Sequence, residues 1–383
     1  MWGRVRRASA AALLAVGLTA GCATFPDNGP REWQEQIEGA GELGGIPRVP
    51  ESADPRTPPP SAQQSPQGGP PPEPQPCDDP DPAVVETCLE PVGAVAVLPD
   101  GVSALVAERT TGRVLRVERG TDPELVATVA VDASGGGGLT GLVLSPSYAE
   151  DRLVYAYATT PEDNRVLLIA EGEPPKPLLT GIPRGASNNG GALGVDVDGS
   201  LLVATGDAGG ADPASLAGKL LRIDTFGRPA IGNPDPASPV LSSGLTAPGG
   251  VCVNPATTAA WVTDRAGTQD VLHLVVPGPL GPPAWTWPDR PGVAGCVAQF
   301  DVVAVAQTVA TSLFVLRTDP VTTAFTATET QLAGVYGRLA AAAPGPDGLI
   351  WLGTVNKDGG VPVPSDDRVV VLPPVASGGQ SRA

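Results

Sequence analysis

The chain has 383 residues, 41% hydrophobic and 17% charged, with 24 Lys plus Arg against 41 Asp plus Glu and a net charge of −17. That apolar share is too high for a wholly disordered chain, and the acidic balance excludes binding nucleic acid through a basic footprint. A single histidine excludes multi-histidine metal sites and argues against histidine-dependent catalysis.

Residues 1–21 read as a bacterial lipoprotein signal peptide. Arg4, Arg6 and Arg7 precede an apolar run at 10–18, and small residues lead to Cys22, the expected lipidation site. The run is too short to span a bilayer as a permanent helix. The expectation is an exported lipoprotein, its lipid (palmitate-type) anchor holding it on the extracytoplasmic face of the cell membrane. Residues 22–90 then form a lipidated N-terminus and stalk, with a short helix expected at 31–40. Between Pro47 and Pro82 there are 14 prolines in 36 residues, a composition that favours extended polyproline II and acts as a semi-rigid spacer. Cys77, Cys88, Cys252 and Cys296 are an even number suited to an oxidising compartment. Four cysteines allow three pairings. Cys77–Cys88 is favoured by proximity, and Cys252–Cys296 because both lie near corresponding points of a repeat. No Cys-x-x-Cys pair or nearby histidine supports a metal site, and none is expected.

From residue 91 to 374 the chain repeats a unit of short apolar or β-branched runs separated by turn signals. The first unit begins at Gly93, turns at Asp100-Gly101, and turns again at Thr111-Gly112. Further units begin near 141, 193, 250, 299 and 338, with Asp198-Gly199 and Asp347-Gly348 recurring in phase. The fifth, 299–331, keeps only its hydrophobic runs. A period of 40–50 residues with several strands per unit predicts an all-β, six-bladed β-propeller. A β-sandwich would not repeat its turn chemistry in phase, and no long stretch after residue 91 carries helical periodicity. With few aromatics, the core must be built from Val, Leu and Ala. The segment from Cys77 to Glu90 is placed to add an outer strand beside the last blade, and 375–383 reads as a flexible tail.

The ordered motifs make the resemblance specific. Gly138-Leu139-Thr140-Gly141-Leu142 running to Tyr155, Asn189-Gly190-Gly191 with Thr205-Gly206-Asp207, and Gly337-Arg338-Leu339 with Asn356-Lys357-Asp358-Gly359 resemble the soluble quinoprotein glucose/sorbosone dehydrogenases. With the signal and stalk, the whole chain is similar to an actinobacterial (mycobacterial) envelope lipoprotein. The family resemblance implies pyrroloquinoline quinone (PQQ) and calcium at the mouth of the central channel. It also implies a histidine that takes the proton of a sugar hydroxyl. That histidine's place is filled here by Asn188, whose amide cannot accept a proton near neutral pH. Ala192 stands where the family carries arginine, Thr246-Ala247-Pro248-Gly249-Gly250 lacks the family's cation and amide, and Asp264-Arg265-Ala266-Gly267 replaces the calcium-side loop. Arg338 and Lys357 keep cationic positions, Asn356 and Asp207 are retained, and Asn188, Asn189, Asp264 and Arg265 complete the candidate pocket. The two cations would hold an acidic ligand, unless they merely pair with Asp358, Asp366 or Asp367.

The lone histidine, His273, lies in an alternating strand and is read as structural. Trp285 and Trp287 are read as packing, and the glycine run at 135–138 as a bend, since it lacks the Gly-Lys-Ser/Thr ending of a phosphate loop. The expected function is a diverged or non-catalytic module that binds a sugar, another small molecule or an envelope protein. The alternative is an active PQQ-dependent aldose dehydrogenase.

Overall fold

The computed structural model describes residues 77–374, except 211 and 320. The signal peptide, Cys22, the helix expected at 31–40, most of the stalk and the tail lie outside the described residues. The chain divides into two compact units at Pro70/Pro71, and the described residues belong to the second.

That unit is a six-bladed β-propeller. Blade 1 comprises Val92–Val97, Ser103–Glu108, Arg113–Glu118 and Glu124–Thr128; blade 2, Leu139–Leu144, Val154–Thr159, Asn164–Ile169 and Lys176–Ile182. Blade 3 comprises Gly191–Val195, Leu201–Thr205, Lys219–Ile223 and Val240–Ser243, with Gly278–Pro279 added in parallel outside. Blade 4 is Pro248–Val253, Ala260–Arg265, Asp270–Leu274 and Trp285–Trp287; blade 5 is Val293–Gln299, Val302–Gln307, Ser312–Thr318 and Phe325–Gln331. Blade 6 is Leu339–Pro344, Ile350–Thr354 and Val369–Leu372, completed by Val84–Glu86 from the start of the unit. The first strand of each blade contacts that of the next, and Leu339–Pro344 returns to Val92–Val97, so six inner strands enclose a central channel.

The turn residues set the blades' shape. Gly101 and Gly348 both take positive φ, where a side chain would be strained, and the preceding Asp100 and Asp347 each accept N–H bonds from the start of the next strand. The core between blades is mainly Val, Leu and Ala, with Trp261, Trp351, Tyr155 and Tyr157 as its largest fully buried side chains. Blade 5 is where the repeat misled by several residues: its inner strand occupies Val293–Gln299, ahead of the position 299 read from the sequence. Its first turn has no Asp-Gly pair and uses Phe300 at φ 52° instead.

Both favoured disulfides form. Cys252–Cys296 joins the inner strands of blades 4 and 5, and Cys77–Cys88 closes a loop within a strap that packs on blade 6. Within that strap Val84 pairs with Val370, Arg368 forms an ion pair with Asp79 (2.9 Å), and Tyr336 Oη donates to Asp81 (2.6 Å). The outer strand expected between Cys77 and Glu90 is thus present, in residues also assigned to the stalk.

Candidate functional site

In an antiparallel blade the inner strand starts, and the second strand ends, at the same face. Residues at these two places therefore converge on one mouth of the channel. Glu108 pairs with Val92 in blade 1 as Asp264 pairs with Pro248 in blade 4, so Arg109 and Arg265 occupy equivalent positions. Arg338 immediately precedes the inner strand of blade 6, and Asp358 follows that blade's second strand. These four side chains line a cavity of about 380 Å³, together with Thr140, Thr308 and a floor that includes Gly190 and Gly249.

The mouth is cationic in an otherwise acidic protein. Three guanidinium groups face one carboxylate, leaving two net positive charges. Arg109 is held by Gly137 O (2.6 Å) and Ala133 O (3.3 Å) and forms an ion pair with Asp358 (2.6 Å). Among the described residues, neither Arg265 nor Arg338 has a salt-bridge partner, and Arg338 Nε is buried without a hydrogen bond. Burial pushes the Arg265 pKa down. Asp270 and Asp264 oppose that change, while the like charges of Arg109 and Arg338 add to it. Unpaired, desolvated guanidinium groups are the donors that carboxylates and phosphates bind best.

The other candidates are distributed around this cavity. Lys357 is not among its lining residues; its Nζ donates to Leu89 O (2.7 Å) and lies near Glu90, so it braces the strap. Asn356 is buried. Its Oδ1 accepts from Arg338 N–H (2.7 Å) and its Nδ2 donates to Tyr336 O and Asp366, so it holds the backbone that carries Arg338. Asn189 is fully buried and bonded to Gly185 and to the turn at 134–135, which fixes the loop leading to Gly190. Asn188 adopts φ 55°, a conformation that Asn tolerates well, and its Nδ2 donates to Asp207 Oδ1 (2.9 Å). No imidazole lines the cavity. The sole histidine, His273, lies on the third strand of blade 4, where burial depresses its pKa. Trp285 and Trp287 pack against Phe314 at centroid distances of 6.1 and 5.4 Å, and neither lines the cavity. Arg109 was not singled out from the sequence. The signal that finds it is its in-phase equivalence with Arg265.

Asp264 supports the mouth without lining it. Only 1% exposed, it accepts N–H bonds from Thr246 (2.9 Å) and Ala247 (2.6 Å), fixing the loop before Pro248. Desolvation raises its pKa from 3.8 to about 6, against those hydrogen bonds and Arg265. Because the folded state binds this proton more tightly than the unfolded chain, the group's contribution to stability grows as pH falls from about 6 towards 4. A shift of this size corresponds to about 3 kcal/mol at most. Denaturant unfolding of wild type and Asp264→Asn at pH 7 and pH 4.5 is expected to show wild type gaining on the variant at the lower pH. An unchanged difference would remove this assignment.

The sequence model of the glucose/sorbosone dehydrogenase family matches residues 89–288. The PQQ-bound aldose sugar dehydrogenase of Streptomyces coelicolor is 32% identical with a TM-score of 0.70, covering 75% of this chain and 95% of that one. An oxidoreductase (glucose dehydrogenase) of Thermus thermophilus is also 32% identical, with a TM-score of 0.69, covering 76% and 98%. The soluble aldose sugar dehydrogenase of Escherichia coli, 20% identical with a TM-score of 0.65 over 76% and 98%, shares the fold. No curated protein matches the chain by sequence.

Proposed function

Because the chain belongs to the glucose/sorbosone dehydrogenase family, we propose that it is a diverged member whose channel mouth binds a polyanionic small molecule without the family's proton abstraction. The observation that carries this reading is the convergence of Arg109, Arg265 and Arg338 on one cavity that lacks an imidazole. PQQ, the group implied by the family, would bring carboxylates and supply a hydride acceptor. Its acidic groups fit the two guanidinium groups that lack a carboxylate partner, and Arg338 Nε in particular. The calcium and base functions do not fit as well. Among the described residues no group of three or more His, Cys, Asp or Glu side chains could hold a metal ion, and the only carboxylate lining the cavity is paired to Arg109. Delivery to the outer face of the cell membrane through lipidated Cys22 belongs to the same proposal and rests on the signal sequence alone.

Calorimetric titration of the purified protein with PQQ tests the reading. Stoichiometric binding is expected, weakened about 10- to 100-fold in Arg338→Ala, the size of a lost charge-assisted bond. Absence of binding, or binding indifferent to Arg338, would overturn it. Dye reduction driven by an aldose in the wild-type protein would instead favour the working dehydrogenase.

A further inference from the structure

We propose that Asp358 is an internal stand-in for a ligand's acidic group, occupying Arg109 until an incoming anion displaces it. This rests on reading the mouth as an anion site, and it adds a direction to that reading: the native carboxylate weakens binding.

The geometry separates what holds Arg109 from what occupies it. One terminal nitrogen of the guanidinium is fixed by two backbone carbonyls, Gly137 O at 2.6 Å and Ala133 O at 3.3 Å. The other terminal nitrogen is bonded only to Asp358 (2.6 Å). Removing the carboxylate would leave the arginine anchored and its second nitrogen facing the cavity. Asp358 lacks such anchoring. Its side chain is 42% exposed, and Arg109 is its carboxylate's only hydrogen-bond partner among the described residues. It sits in a short turn closed by its own N–H to Val355 O and followed by Gly359 at φ 80°. Arg265 and Arg338 face the same cavity without such a competitor. An anion that engages them and extends to Arg109 exchanges one charge-assisted hydrogen bond for another, while the released carboxylate regains water. The chemical class selected is a small molecule with two or more acidic groups, since one group satisfies Arg265 and Arg338 and a second is needed to compete at Arg109.

The sign of the mutational effect tests this. PQQ and citrate, each bearing three carboxylates, are titrated calorimetrically into wild type, Asp358→Asn and Asp358→Ala. Both variants are expected to bind each probe about two- to fivefold more tightly than wild type. The gain is expected to vanish when Arg109→Ala is combined with either variant, because the competition acts through that side chain. Were Asp358 a positioning residue for Arg109, both variants would bind more weakly, which would overturn the proposal, as would a gain that survives loss of Arg109. Failure of all proteins to bind either probe would overturn both this inference and the anion-site reading. Wild-type binding with no gain in the variants would overturn this inference alone.

Discussion

The substitution Asn188→His is expected to raise aldose-dependent dye reduction by PQQ-loaded protein about 10²- to 10⁴-fold over wild type, the range for installing a positioned general base. Asn188 does not itself line the cavity but stands two residues before Gly190, which does, and its local structure accommodates that side chain. Asn188 holds φ 55°, a region that histidine also tolerates, so the backbone need not move. Its Nδ2 already donates to Asp207 Oδ1 at 2.9 Å, and an imidazole at the same place would donate to the same oxygen. Such a bond fixes the tautomer and leaves the second ring nitrogen as the acceptor. The variant also carries its own control. The introduced imidazole, beside a carboxylate, should titrate above the ordinary imidazole range, whereas burial holds His273 below it, so proton NMR resolves two rings displaced in opposite directions. An imidazole that titrates as described but brings no turnover would show that divergence extends beyond the base. Ala192 and the segment at 246–250 would then be the next differences to restore.

The ring was legible because its turns are chemically loud. Asp100-Gly101, Asp198-Gly199 and Asp347-Gly348 mark the same corner of three blades, and each glycine takes the positive φ that the turn requires. Blade 5 was displaced because Phe300 and Asp301 make that corner without a glycine. Among site residues, motif order located Arg265 and Arg338 but gave no guide to direction. Lys357 stands one residue after buried Asn356, yet it reaches the strap, because the chain segment that closes blade 6 brings Leu89 O and Glu90 close to it. That closure pairs residues more than 260 positions apart, and local spacing carries no record of it. Arg109 was missed for the complementary reason: a lone arginine after Glu108 looks like an ordinary surface charge until the six registers are superposed. The equivalent buried carboxylates, Glu108 and Asp264, then identify it as the counterpart of Arg265.

Loss of the Cys252–Cys296 disulfide, by alanine at both positions, is expected to lower unfolding stability by about 4 kcal/mol, since the bridge closes a sequence separation of 44 residues. The same relation gives about 3 kcal/mol for Cys77–Cys88, with its separation of 11 residues. The two bridges nevertheless constrain different things. Cys252 and Cys296 are 5% and 4% exposed and belong to the core between blades 4 and 5, so replacing both sulfurs leaves a void as well as a longer unfolded chain. They act where the inner strands of blades 4 and 5 pack closely: a Cβ on Gly250 would meet Ala294 O and Cys296 N, each at 2.8 Å. Cys77–Cys88 closes a loop within a strap that is held on blade 6 by Asp79–Arg368 and by Val84–Val370 pairing, so its loss can be absorbed by local opening. Chemical denaturation of the two double variants separates these roles. The Cys252/Cys296 variant is expected to lose midpoint without losing cooperativity, whereas the Cys77/Cys88 variant should chiefly lose hydrogen-exchange protection in Val84–Glu86 and Val369–Leu372. If the strap variant were the less stable of the two in global unfolding, the closure of blade 6, and not the seam between blades 4 and 5, would be what holds the ring together.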